Sequence, residues 1–142
     1  MNLRPYQEEA TTFLYEHDRA MVLAPVGAGK TALTLTAMRE SQRVIAQHAR
    51  AGERRVSRAE NYNFHFRLYE LAERPQTLQF VRVLWARYPF VTQERGGARL
   101  KNIEEHERFL MLIEAGDRAG AVEAMVAHIE SGWNDLMAGK AR

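Results

Sequence analysis

The chain has no cysteine, which excludes disulfides and thiolate metal sites and fits a reducing cytoplasm. Its apolar runs are only a few residues long, so no membrane span is expected. The opening MNLRPYQEEA is polar and acidic, where a secretory signal would be basic and then apolar. No internal repeat or low-complexity tract occurs. A large charge imbalance is also missing: the net charge is +2 with a pI of about 9.1, too mild to argue for nucleic acid. One basic stretch, Arg39, Arg43, Arg50, Arg54, Arg55 and Arg58, is countered by Glu40, Glu53 and Glu60 and is read as a solvated helix face.

What is present is 142 residues, 46% of them hydrophobic, enough for one domain with a real core. The pattern is helical almost throughout. Residues 5–17 open with Pro5, which suits a first turn. The segment from the glycine loop to residue 50 continues as a long helix, with Ala51-Gly52 as its break. Residues 54–73 carry an inward stripe through Phe64, Leu68 and Leu71, and Pro75 opens a helix containing Leu78, Val81, Leu84 and Trp85. After the Arg95-Gly96-Gly97 loop, residues 100–115 place Ile103, Leu110 and Ile113 on one side. Gly116 then stops that helix and Asp117 caps the next, which runs to about 137 with Val122, Met125, Ile129 and Trp133 as its stripe. Trp85 and Trp133 are expected in the core.

The stretch APVGAGKT at 24–31 has the make-up of a phosphate-binding loop. Gly27 and Gly29 let backbone N–H groups curl round a phosphate, Lys30 neutralises it, and the Thr31 hydroxyl can hold magnesium. Ala24 stands where the usual pattern begins with glycine. LRPYQ at 3–7 followed by VLAPVGAGKT resembles, over about residues 1–38, the opening of superfamily-two DEAD/DEAH-type helicases. That resemblance implies that Gln7 contacts adenine, Lys30 the phosphates and Thr31 the magnesium, with ATP and Mg as ligands. The Asp-Glu pair that such enzymes need on a second strand has no counterpart after residue 31. No catalytic residue is therefore assigned, and enzymatic activity is not expected. The loop is read as a connector between helices, with a vestigial P-loop strand near 20–24 as the alternative.

Three of the five histidines fall on inward faces. His65 follows Asn61 by one turn, His106 lies between Ile103 and Leu110 on an apolar side, and His128 lies between Met125 and Gly132. A lone histidine on such a face is ordinarily a hydrogen-bonded core residue. Three from separate helices, with an amide oxygen beside the first, match the donor set of a divalent ion of the zinc, nickel or manganese class. Arg67 and Arg82 could face solvent or an effector's carboxylate.

NYNFHFRLYELAERPQTLQFVRVLWARY and then EEHERFLMLIEAGDRAGAVEAMVAHIE resemble the FCD domain over about residues 41–138. This is the helical effector-binding domain of GntR-family bacterial transcription regulators, related to fatty-acid and carboxylate-sensing repressors. The resemblance implies an antiparallel helical bundle and a metal held by Asn61, His65, His106 and His128. It further implies a small carboxylate effector and pairing as a homodimer. Asn61 stands where metal-binding members commonly carry Asp, and no winged helix-turn-helix precedes the domain, so no direct DNA binding is expected. The organisation expected is thus a helicase-like segment over 1–40 and an FCD-like effector and metal-binding domain over 41–142. The function expected is metal-dependent sensing of an organic acid in a regulator lacking its DNA-binding domain. An ATP-binding P-loop fragment, or an inactive chimeric or truncated product, are the alternatives.

Overall fold

The computed structural model describes residues 4–16, 30–87 and 98–140. They form six helices: α1 Pro5–Glu16, α2 Lys30–Ala51, α3 Arg54–Leu71, α4 Pro75–Arg87, α5 Ala98–Glu114 and α6 Arg118–Lys140. No strand occurs among the described residues, so the mainly-α expectation holds. The strand proposed near 20–24 and the Arg95-Gly96-Gly97 loop lie outside the described residues. No described helix is long and apolar enough to cross a membrane. The chain divides into two compact units, Met1–Pro75 and Gln76–Arg142.

In the first unit, α1 and α3 each pack against α2. Pro5 opens α1 as the sequence suggests, and Gln7 completes its start: its Oε1 accepts the Arg4 backbone N–H at 2.8 Å. That is the returning half of a capping box, which satisfies a donor the helix itself leaves over. The inward face of α2 runs through Leu33, Ala37, Met38, Ser41, Val44, Ile45 and Ala49, all buried. Ala37 and Ser41 are small, which lets a neighbouring helix approach the middle of that face. Phe64 and Phe66 supply the bulk on α3, and Phe64 has no exposed surface. Gly52, at φ 79°, ends α2 in a left-handed conformation that side chains disfavour.

Of the basic stretch, Arg43, Arg50, Arg54, Arg55 and Arg58 are exposed, as a solvated face requires, while Arg39 is half-buried. Arg43 grips the Glu40 carboxylate with Nε and Nη2 at 2.9 and 2.5 Å. The Arg43 hydrogen bond holds the Glu40 carboxyl below its ordinary value, outweighing slight burial. At an exposed site this contributes little to stability.

In the second unit, α5 packs against α6. Gly116, at φ 78°, stops α5, and the Asp117 carboxylate accepts the Gly120 N–H at 2.9 Å, the cap read from the sequence. The buried face of α5 holds His106, Phe109 and Leu110. On α6 it holds Ala121, Met125, His128 and Gly132. This corrects the stripe read for α6: Val122, Ile129 and Trp133 are 64%, 46% and 45% exposed, and only Met125 of the four faces inward. Alanine and glycine at 121 and 132 permit close helix approach, which outweighs the area the larger side chains would bury. Trp133 is consequently not a core residue. α4 carries no buried residue, with Phe80, Val83 and Leu84 exposed.

Phe64→Ala is expected to lower the unfolding free energy by about 3–5 kcal/mol, the usual cost of emptying a fully buried aromatic site. Urea denaturation followed by circular dichroism measures it. A loss below about 1 kcal/mol would mean that Phe64 is not packed as described.

Candidate metal centre

The turn between α5 and α6 sets the register of two histidines. His106 lies ten residues before Gly116 and His128 twelve after it. At 1.5 Å per residue both stand roughly 15–18 Å from the turn, so the α5–α6 hairpin brings them level. Their Nε2 atoms are 3.1 Å apart, with ring centroids 4.6 Å apart and planes inclined at 67°. Both are buried, His106 almost completely.

The far nitrogen of His128 has a different partner. Its Nδ1 lies 2.7 Å from Glu105 Oε2, and the other carboxylate oxygen is 4.0 Å from Lys101 Nζ, one turn earlier on α5. A carboxylate bridging to the neighbouring helix therefore touches one imidazole while its chain neighbour, His106, faces that imidazole's other edge.

In the first unit His65 is buried on α3, one turn after Asn61. Tyr69, one turn further on, places its hydroxyl 3.4 Å from His65 Nδ1, with the rings 5.9 Å apart. Burial pushes the Tyr69 phenol up to about 12, so it stays protonated at any physiological pH.

The donor set suits a borderline divalent cation. Imidazole nitrogens lie about 2.0–2.1 Å from zinc, so two on one ion stand roughly 2.8–3.4 Å apart between octahedral and tetrahedral angles. The 3.1 Å between His106 and His128 falls within that range. The same separation suits one N–H···N hydrogen bond, which satisfies one nitrogen of each buried ring when no ion is present. His65, His106 and His128 are all buried.

The other residues singled out in the sequence fall as follows. Arg67 is half-buried and donates from Nη1 to Ser41 Oγ at 2.5 Å, tying α3 to α2. Arg82 is exposed on α4. Gln7 is buried and its carbonyl oxygen serves the α1 cap. Thr31 is exposed in the first turn of α2, which Lys30 opens, while Gly27 and Gly29 lie outside the described residues. Two contacts were missed from sequence. Tyr69 could have been found, since it stands four residues after His65 and helix geometry puts them on one face. Glu105 could not, because its partner is 23 residues away.

A family model described as the FCD domain matches residues 26–131, a span that contains Asn61, His65, His106 and His128. The match begins inside the stretch read as helicase-like and gives that reading no support. No curated protein and no solved structure matches the chain.

The Tyr69 phenol predicts an alkaline signature. Its folded pKa is raised, so the unfolded chain loses this proton first, as pH passes its ordinary value near 10. Stability from this group is therefore whole below about pH 10 and falls as pH rises towards 12, by up to about 2–3 kcal/mol. Urea midpoints at pH 9 and pH 11 should fall further for the wild type than for Tyr69→Phe. Parallel losses would remove the phenol as the cause.

Proposed function

The chain belongs to the FCD domain family, the effector-binding domain of GntR-type regulators, and on that premise we propose that it senses a small organic acid through a bound divalent metal. Asn61, His65, His106 and His128 are the proposed ligands, with zinc, nickel or manganese as the class of ion. The observation that carries this reading is the buried His106–His128 pair, whose nitrogens stand at a ligand-to-ligand spacing. Support comes from the burial of His65 and from the family match, which contains all four positions.

The ion supplies a fixed positive charge on which a carboxylate can seat. The residues themselves hold the ion and set its charge. All four are neutral as ligands, because the amide of Asn61 brings an oxygen without a negative charge. The ion's full charge is thus left for an anionic effector, where an aspartate would cancel part of it. Arg67 and Arg82 are the cations proposed to help attract the acid. Ligand occupancy then biases helix packing and the pairing of two copies, because an ion and an effector stabilise whichever arrangement binds them better.

Elemental analysis of the purified protein tests the reading. Wild type should carry close to one divalent ion per chain, and His106→Ala and His128→Ala should each lose most of it. Equal metal in all three proteins would end the proposal.

A further inference from the structure

Different groups face the two ring nitrogens of His128. Nε2 is 3.1 Å from His106 Nε2, and Nδ1 is 2.7 Å from Glu105 Oε2. An ionised carboxylate can only accept, so in the neutral ring the proton sits on Nδ1. Nε2 is then left with its lone pair directed at His106. We infer that Glu105 is a positioning residue: it selects the His128 tautomer whose Nε2 can bind a cation, and holds that ring in place before any cation arrives. The role given to Nε2 rests on the metal reading above, whereas the tautomer itself does not.

The placement of Glu105 fits this role better than that of a surface charge. Its side chain is 24% exposed against 9% for His128, so the bond between them is shielded from water on the imidazole side. Water competes less for a charge-assisted bond in that setting. Lys101 approaches the opposite carboxylate oxygen, so the carboxylate is flanked by a cation on one side and the imidazole on the other. Glu105 also spans two helices, so its bond fixes a ring on α6 from a residue on α5. The dipeptide Glu105-His106 thereby does two jobs from one turn of helix: it presents one imidazole and orients another. Histidine ligands backed by a carboxylate on the far nitrogen are more basic and less free to rotate, and losing such a partner typically costs 10- to 100-fold in metal affinity.

The test compares wild type with Glu105→Ala, Glu105→Gln and Glu105→Asp, all stripped of metal with a chelator. Imidazole nitrogen shifts by NMR report the tautomer of His128, a zinc-competition titration reports affinity, and melting temperature reports the fold. Wild type should show His128 protonated on Nδ1, and Glu105→Ala should move that proton in part or whole to Nε2. Zinc affinity should fall about 10- to 100-fold in Glu105→Ala, by less in Glu105→Gln, which keeps an acceptor without its charge, and be partly restored in Glu105→Asp. Stripped Glu105→Gln, which still offers an acceptor, should melt with wild type, whereas stripped Glu105→Ala, which leaves the Nδ1 proton without that acceptor, should melt lower. An unchanged tautomer in Glu105→Ala, or zinc affinity indistinguishable from wild type, overturns the role of Glu105 and leaves the metal reading standing. A melting loss in stripped Glu105→Gln that matches its affinity loss overturns it too, by making Glu105 merely structural. A wild type that takes up no zinc overturns the metal reading itself, and with it the task assigned here to Nε2.

Discussion

The constraint on which the rest depends is the burial of imidazole. A ring with two polar nitrogens cannot be taken out of water unless both find partners, because an unsatisfied buried polar group costs about 1–3 kcal/mol. His106 and His128 each meet half of that demand by facing each other, and His128 meets the other half through Glu105. The arrangement is possible only because both histidines sit on the faces that already hold Phe109, Leu110, Ala121 and Met125. The core of the second unit and the candidate centre are thus one surface. Any change that slides α5 along α6 by a turn, about 5.4 Å, separates the rings.

The first unit handles its buried polar groups differently. Ser41 has no exposed surface and Gln42 almost none, in the middle of the α2 face where α3 packs. Ser41 accepts from Arg67, so a guanidinium held between helices satisfies a hydroxyl that would otherwise be stranded. Arg67 therefore has a structural task whatever else it does. Its five donors leave it able to serve a second partner without releasing the first. Arg82 is exposed on α4.

How much of this was legible in the sequence varied with how local the cause was. The start of α1, the stops of α2 and α5 and the start of α6 were, because Pro5, Gly52, Gly116 and Asp117 act locally on the backbone. The register of His106 and His128 was implicit once Gly116-Asp117 was read as the turn, since both lie a similar distance from it. The phase of α6 was misread because that helix is apolar on two faces. Periodicity then offers two solutions, and hydrophobicity favours the large residues Val122, Ile129 and Trp133. Packing chose the small ones, Ala121 and Gly132, since closeness to α5 decides which face is buried. Gln7 was ambiguous for a related reason: one residue type suits both an adenine contact and a helix cap, and the described contact is the cap.

The electrostatics of the centre follow from where its negative charge is kept. The proposed ligands bring three imidazoles and an amide, none of them anionic. The carboxylate beside them, Glu105, contacts His128 on the nitrogen turned away from His106. Negative charge placed there stabilises a positive centre at one remove, yet it occupies no coordination position and leaves no acid group competing with an incoming carboxylate. An aspartate at position 61 would reverse both properties: it would hold the ion more tightly and make the centre less inviting to an anion. Asn61 and Glu105 are thus complementary choices. In the proposed centre, one would bring no charge to the ion, and the other would return it where it can orient a ligand without taking a coordination position.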